Sequence, residues 1–364
     1  MTINETPRFL HDDDETAAAV VMYERLNSAD VTSSDHNAAI LDKIRSNDPT
    51  FTDLFISSAH DGQVGSVCTT DFIVHDGDVL ECLGYFIGRN TTLLHVCIAT
   101  DLSEVGDRDA LLRGINGSRC VEVFELYDHL GLDVGLLTDF IRMNRQLKSL
   151  TLGGNDIKDD DSGGGIADLA IALVNQPSLE SLTLQNSDLN IIGCMSLCSQ
   201  ACSSNVPIAP NLKHLDLSLN SIDDAALEVL ATSLSLGTGL KSLDLSQNPS
   251  IGAAGLRSLA TLLQSENCRL EDLHLNDMHI GDDGAEALAT ALSGNTTLRR
   301  LHISLSDAGI SASGWSSFWK LLSDASSINN TYLSSHTLQV IGSNNDSVGV
   351  PTNIIGLNSD SLHK

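Results

Sequence analysis

A six-residue phrase with the pattern LxxLxL recurs along this chain of 364 residues and constrains its fold more than any other feature. The clear copies lie 28 to 33 residues apart and begin at Leu147, Leu179, Leu212, Leu240, Leu270 and Leu298. A period of this length is typical of proteins that stack one supersecondary unit on the next. Because a single unit cannot bury its own apolar face, the pattern predicts a continuous core shared between neighbouring units.

Weaker copies of the phrase extend the array to about ten units, beginning at Phe51, Leu93, Val121 and Ile328. The gap from Phe51 to Leu93 is wide, and we expect an irregular insertion there. We predict a repeat domain over residues 51–342. Residues 1–50 are expected to form an acidic segment with a helical cap, and residues 343–364 a polar, disordered tail.

A second apolar pattern, with helical period, follows each strand phrase. The clearest example is GDDGAEALATALSGN, in which Leu288, Ala289 and Leu292 fall on one face of a helix. Asp282 and Asp283 are placed to cap the free amides at the start of this helix, and Gly294 is suited to end it. Alternating strands and helices predict an α/β fold with parallel strands.

The combined unit LxxLxLxxNxIxxxGxxxLaxaLxxN resembles the ribonuclease-inhibitor-like class of leucine-rich repeat proteins, and residues 270–297 match it almost throughout. The resemblance implies a leucine-rich repeat solenoid, or horseshoe, with a parallel sheet on its concave side and helices on its convex side. It also implies an asparagine after each strand, a position that Asn155, Asn220 and Asn248 occupy. Ser187, Met278 and Ser306 replace it elsewhere, and we expect less regular turns there.

The charge composition limits the classes of partner. Asp and Glu number 48 against 20 Lys and Arg, a formal net charge of -28. Such a field repels nucleic acid and anionic membranes and attracts basic proteins. The first residues lack a secretory signal, no apolar run is long enough to span a membrane, and eight cysteines are too few for a disulfide framework. These features predict a cytoplasmic protein, with the nucleus as an alternative compartment.

The polar residue between the last two apolar positions of each phrase points away from the core, because side chains alternate along a strand. In four consecutive units this residue is Asp216, Asp244, His274 and His302. We predict a partner-binding strip on the concave face. Its predicted members are Glu125, Asp128, Asp216, Asp244, His274, Asp277 and His302.

Three interpretations of this strip remain open: a solvated strand surface, a partner-binding surface, and a metal or acid-base site. The third is disfavoured, because a nearly straight ladder offers neither a convergent pocket nor tetrahedral ligand geometry. No catalytic motif is present in the sequence. We therefore predict no catalytic residues, no metal and no cofactor.

The predicted function is that of a non-enzymatic protein-interaction module that binds a basic protein on its acidic concave face. One alternative is a GTPase activator resembling the Ran-activating proteins, for which Arg108 and Arg113 are the local candidates. Another is a regulatory or sensor array within a larger protein. The sequence does not determine the oligomeric state.

Overall fold

The computed structural model describes most of the repeat array and part of the segment before it. The described residues are 21–58, 69–75, 79–99, 108–127, 134–154, 165–187, 211–235, 239–293, 295–304, 308–323, 338 and 340–341. Contacts group the chain into two compact units, unit 1 (residues 1–147) and unit 2 (residues 148–364). The boundaries predicted near residues 50 and 342 remain predictions.

Beyond the helical residues 21–25, the described residues of unit 1 form four parallel strands and five helices. In chain order these are α1 (Ser28–Val31), α2 (Asp35–Ser46), β1 (Asp53–Ser58), β2 (Asp71–Val74), α3 (Leu80–Arg89), β3 (His95–Ile98), α4 (Arg108–Ile115), β4 (Val123–Tyr127) and α5 (Val134–Met143). The strand order is β4-β3-β1-β2, so that β2 is the last strand at its side of the sheet.

Strand β2 corrects the expectation of an irregular insertion between Phe51 and Leu93. Residues 71–74, with the sequence DFIV, pair in parallel with β1. Phe72 and Val74 are fully buried, whereas Asp71 and Ile73 are half-buried. The segment therefore has the period of two that a half-buried strand requires, although it lacks the LxxLxL phrase used to find the other strands.

Helix α2 hydrogen-bonds to the outer side of β2. The side chain of Asn37 accepts from the backbone amide of Ile73 at 3.1 Å and donates to the carbonyl of the same residue at 2.6 Å. His36 Nε2 lies 2.8 Å from the carbonyl oxygen of Asp71. Because an edge strand leaves amide and carbonyl groups unpaired, one buried amide side chain here replaces a neighbouring strand.

Unit 2 repeats the strand-helix alternation. Its described elements are β5 (Ser149–Gly153), α6 (Gly165–Val174), β6 (Ser181–Thr183), β7 (His214–Asp216), α7 (Asp224–Ser235), β8 (Ser242–Asp244), α8 (Ala253–Gln264), β9 (Asp272–His274), α9 (Gly281–Leu292), β10 (Arg300–His302), α10 (Ala312–Ser323) and β11 (Val340–Ile341). The strands are parallel and neighbour one another in chain order. The predicted α/β repeat fold is confirmed.

The strand that follows β10 in the sheet is β11, in which Val340 pairs with Arg300 and Ile341 with Leu301. The weak phrase at Ile328 lies outside the described residues. Within the clear repeats the leucines face inward as predicted. Leu243 and Leu245 are buried, and Leu243 is the register partner of Leu215 in the unit before it.

In two of the units, the asparagine after the strand links its own unit to the one before it. Asn220 Nδ2 donates to the carbonyl of Leu184 in the preceding unit at 2.7 Å and to that of Leu217 in its own unit at 3.0 Å. Asn248 repeats this bridge one unit later. The buried side-chain amide satisfies carbonyl groups at the bend that have no strand partner.

The Met278 turn is more regular than expected. Asp277, just before Met278, has a φ of 54°, close to the 56° of Gln247 in the turn that contains Asn248. Met278, at the sequence position that the asparagine takes in the other turns, is buried. Ser187 also retains part of the asparagine role, because its hydroxyl donates to the carbonyl of Leu152 at 3.0 Å. Asn155 and Ser306 lie outside the described residues.

The predicted role of Asp282 as a cap for its own helix is wrong. Its carboxylate accepts from the backbone amide of Ser311 at 2.8 Å and from the hydroxyl of Ser311 at 2.7 Å, just before α10. Asp282 thus stabilises the start of the next helix in the array. Gly294, predicted to end α9, lies outside the described residues, and the helix ends at Leu292.

Candidate interaction surface

The open face of the unit 2 sheet consists of the strand residues that alternate with the buried leucines. Its central row contains Thr151, Thr183, Asp216, Asp244, His274 and His302. Register pairing joins these residues one to the next across β5 to β10. The structure therefore places Asp216, Asp244, His274 and His302 on four consecutive strands, spaced by about 4.8 Å.

Asp216 and Asp244 hold the same conformation. Oδ1 of Asp216 accepts from the backbone amide of Ser218 at 2.9 Å, and Oδ1 of Asp244 accepts from that of Ser246 at 2.8 Å. Neither carboxylate makes an ion pair with a described lysine, arginine or histidine. Both side chains are half-buried. The sheet thus presents two negative charges side by side, each held in place by its own backbone.

His274 and His302 stack on each other at the other end of the row. Their ring centroids lie 4.1 Å apart, and the ring planes differ by 6°. Burial lowers the pKa of His302, and the neighbouring His274 and Arg300 lower it further, against the opposing effect of Asp272 and Asp244. The His302 ring is accordingly neutral at neutral pH, which removes charge repulsion from the stack.

A second row on the open face escaped the sequence reasoning. It contains the first residue of each strand, namely His214, Ser242, Asp272 and Arg300 in β7 to β10. The period of two that identified the central row also places the residue two positions earlier on the same face, and this signal was overlooked. In this row the guanidinium of Arg300 donates from Nε and from Nη2 to the two carboxylate oxygens of Asp272.

Ion pairs between neighbouring units also link the residues immediately before the strands. Lys213 Nζ lies 2.8 Å from Glu180 Oε1, and Lys241 Nζ lies 3.0 Å from Glu271 Oε1. Hydrogen bonding from these lysines lowers the pKa of Glu180 and of Glu271. Arg299 adds a longer contact to Glu271, at 3.8 Å. Part of the protein's negative charge is therefore balanced within the chain itself.

Asp277 lies in the turn after β9 rather than in the central row. Its Oδ1 accepts from the hydroxyl of Ser304 at 2.8 Å, and its Oδ2 accepts from the side-chain amide of Gln247 at 3.0 Å. Asp277 therefore makes contacts to the units on both sides of its own. Asp128, another predicted member of the strip, lies outside the described residues.

Glu125 belongs to unit 1, where it is the register partner of Cys97. Its Oε2 lies 3.9 Å from Nε2 of His95, and Nδ1 of His95 lies 3.3 Å from Oδ1 of Asp53. Burial raises the pKa of the Cys97 thiol to about 12, and the Glu125 charge adds to this effect. Cys97 is therefore a poor nucleophile, because the thiolate is the reactive form.

Neither row has the form of an enclosed reaction centre. No group of three or more His, Cys, Asp or Glu side chains within the described ranges is arranged to hold a metal ion. A cleft of about 470 Å³ in unit 1 and one of about 410 Å³ in unit 2 are lined by residues outside both rows. Among the described helices, none is long and apolar enough to cross a membrane.

Comparison with known proteins identifies the repeat. A family model described as "Leucine Rich repeat" matches residues 209–231, 239–260 and 266–289. Ribonuclease inhibitor from Sus scrofa is 34% identical over 160 residues, which are 43% of this chain and 32% of that protein. Ribonuclease inhibitor from Mus musculus is 29% identical over 259 residues, or 69% of this chain and 51% of that protein.

A second kind of relative has a different domain composition. NACHT, LRR and PYD domains-containing protein 5 from Homo sapiens is 28% identical over 209 residues, which are 48% of this chain and 17% of that protein. The chain thus spans at most about half the length of the relatives named.

Proposed function

Because this chain is a leucine-rich repeat protein of the ribonuclease-inhibitor-like type, we propose that it is a non-enzymatic module that binds a basic protein on the open face of unit 2. The binding surface comprises Asp216, Asp244, His274 and His302, with Asp277 at its edge. Glu125 of unit 1 is proposed as a partner contact in its own right, and Asp128, which the sequence predicts with it, lies outside the described residues.

The observation that carries this proposal is a difference in ion pairing among the carboxylates on and beside the strands of unit 2. Asp272, Glu180 and Glu271 have cationic partners in the chain, whereas Asp216 and Asp244 have none among the described residues. Both nevertheless lie in a fixed, half-buried position. Two like charges next to each other on a sheet are unfavourable, and a cationic partner relieves that repulsion.

The fold provides a preformed surface for such a partner. Strand pairing and the buried leucines on the opposite side of the strands hold the open face in position. Binding therefore orders few protein groups, which reduces the conformational entropy lost on association. The formal net charge of -28 accelerates encounter with basic proteins and disfavours nucleic acid as a ligand.

The relatives support binding rather than catalysis, since two of them are named as inhibitors of an enzyme. The GTPase-activator alternative has no support from the geometry: Arg108 and Arg113 both belong to α4 rather than to a loop at the end of a strand. Single-turnover GTP hydrolysis with candidate GTPases tests it directly, because a binding module leaves the rate unchanged. We propose an intracellular location.

The test is affinity capture from a cell lysate with three immobilised forms of the full chain. The first is the wild type, and the second carries Asp216→Lys and Asp244→Lys. The third carries Glu228→Lys and Glu286→Lys, which make the same change in formal charge at exposed positions of α7 and α9. We expect to find lysate proteins that bind to the first and third forms but not to the second. The same captured proteins on all three forms would reject the open face as the binding surface.

A further inference from the structure

The open face of unit 2 already contains one carboxylate-guanidinium pair between neighbouring strands. Arg300 of β10 donates from two nitrogens to both oxygens of Asp272 in β9. In this arrangement the planar fork of an arginine side chain matches the two oxygens of a carboxylate. The pair lies beside the stacked rings of His274 and His302, on the strands that carry them.

One strand further along, a carboxylate of the central row has no such partner among the described residues. Asp244 is the register neighbour of His274, yet no hydrogen bond or ion pair joins the two side chains. Asp216 occupies the next strand, about 4.8 Å away. Each carboxylate has one oxygen on a backbone amide, at Ser218 or Ser246, so the second oxygen of each is available to an outside donor.

The stack of the two imidazole rings determines what lies next to this pair of carboxylates. The ring planes are parallel, and the rings belong to neighbouring strands, so the stacking axis runs from strand to strand. One face of the His274 ring is covered by His302. The other face is consequently turned toward β8, the strand of Asp244.

We propose, on the basis of the proposed function, that this site binds an arginine side chain of the protein partner. The guanidinium lies over Asp244 with its plane against the free face of His274, as a third layer of the stack. Its donors reach the second oxygens of Asp244 and Asp216. The partner segment that carries it is basic and crosses the strands of the open face.

Arginine fits this site better than lysine for two physical reasons. A guanidinium is planar, presents five donors in a fixed fork, and stacks on aromatic rings, whereas an ammonium is a compact point charge with strongly bound water. A guanidinium thus satisfies two acceptors on neighbouring strands and also covers the imidazole face. An ammonium gains only the attraction to the carboxylates.

The stacking part of the site depends on neutral imidazole. The charged groups around the two rings are Asp244 from β8, Asp272 from β9 and Arg300 from β10, whereas the described residues of β11 are the uncharged Val340 and Ile341. Protonation of either ring places a positive charge next to the bound guanidinium.

The experiment uses two fluorescent peptides of equal length, one of alternating glycine and arginine and one of alternating glycine and lysine. Fluorescence anisotropy measures their Kd for the full chain at about 0.15 M ionic strength. We expect the arginine peptide to bind about threefold more tightly than the lysine peptide. His274→Leu is expected to abolish this preference without weakening the lysine peptide. Asp216→Asn with Asp244→Asn should weaken both peptides about tenfold.

One control variant and a check of folding accompany this experiment. Glu228→Gln with Glu286→Gln removes the same charge at exposed helix positions and should leave both Kd values close to those of the wild type. Circular dichroism checks that each variant is folded.

The outcomes are distinct. If the wild type binds both peptides with the same Kd and the double aspartate variant binds both more weakly, the arginine site is overturned. The acidic binding surface is then still supported. A preference for arginine that persists in His274→Leu overturns the stacking geometry. If the double aspartate variant binds both peptides as the wild type does, the arginine site and the proposed function both fail.

Discussion

Asp224, the first residue of α7, accepts a hydrogen bond from the backbone amide of Gly255, in the first turn of α8. The distance is 2.8 Å, and the same oxygen accepts from the amide of Gly252 at 2.7 Å. An aspartate of one repeat thus caps the helix of the next repeat, as Asp282 does for α10 through Ser311. The high content of acidic residues is therefore partly structural, because a carboxylate at a helix N-terminus satisfies free amides and the helix dipole.

Removal of this cap should lower the stability of unit 2. We expect Asp224→Ala to reduce the free energy of unfolding by about 1–2 kcal/mol, because two backbone amides at the start of α8 lose their acceptor. The measurement is urea denaturation followed by circular dichroism. Glu228→Ala, at an exposed position of α7, is the matched control and should change the midpoint little. Equal shifts for the two variants would contradict a capping role.

Substitutions on the inward and outward faces of residues 242–245, the segment that contains β8, should have different effects on stability. Leu245→Asp places an unpaired carboxylate between neighbouring units, in a position that is fully buried. We expect it to cost at least about 3 kcal/mol of unfolding free energy. Asp244→Ala removes only a half-exposed hydrogen bond to Ser246 and should cost about 1 kcal/mol or less. Thermal unfolding of the two variants measures this difference. Similar midpoints would disprove the assignment of Leu245 to the core and of Asp244 to the open face.

Close contact between α3 and α4 should make their glycines intolerant of a methyl group. A Cβ atom added to Gly84 would lie within 3.0 Å of the backbone of Leu111, and one added to Gly114 would meet the backbone of Gly84 equally closely. We expect Gly114→Ala to destabilise unit 1 by about 1–3 kcal/mol, because the helices must move apart.

Calorimetry of the full chain measures this effect. Gly239→Ala is the control, since the nearest atom to its added Cβ would be the carbonyl oxygen of Leu212, at 3.8 Å. That substitution should leave the Tm nearly unchanged. A Gly114→Ala protein as stable as the wild type would show that the two helices are not in the close contact described.

The acid sensitivity of unit 2 should depend in part on Asp282. Hydrogen bonds from the hydroxyl and the backbone amide of Ser311 lower the pKa of this carboxyl below its usual value. A carboxyl with a lowered pKa in the folded state stabilises the fold above the pKa of the unfolded chain, near 4. That contribution is lost as the pH falls through the folded pKa, because protonation removes the acceptor.

Asp282→Asn should therefore lower the Tm near neutral pH and make little difference in strong acid. Thermal unfolding of both proteins over a pH series measures the gap between them. Asp283→Asn, at the adjacent exposed position, is the control. The difference in Tm between this variant and the wild type should not decrease as the pH falls. A gap that stays constant from neutral pH to acid would exclude the Asp282 carboxylate as the source of the effect.

Much of the candidate surface was predictable from the sequence, for a physical reason. Side chains alternate along a strand, so the spacing of Leu215 and Leu217 determines that Asp216 faces away from the core. Repetition of the phrase determines that Asp244 follows in the next strand, because stacked units align equivalent positions. The same regularity predicted the helices, whereas the position of Asn220 and Asn248 after the strand was implied by the resemblance to the ribonuclease-inhibitor-like repeats.

The limits of prediction came from segments without the repeat pattern and from contacts between units. Strand β2 lacks the leucine phrase, and Met278 keeps the turn conformation without an asparagine. Asp282 could not be recognised as a cap for α10 from its own helix, because its partner Ser311 belongs to the next unit.

The sequence by itself determined the repeat period, the inward position of the leucines and the outward position of the central row, since all three follow from periodicity along the chain. Only the tertiary structure decided which charges remain available. Arg300 pairs with Asp272, Lys241 pairs with Glu271, and His302 stacks on His274, whereas Asp216 and Asp244 have no cationic partner in the part of the chain that the structure describes. Side-chain pairing across strands depends on distance and rotamer between residues about 30 positions apart, and periodicity along the chain does not specify either.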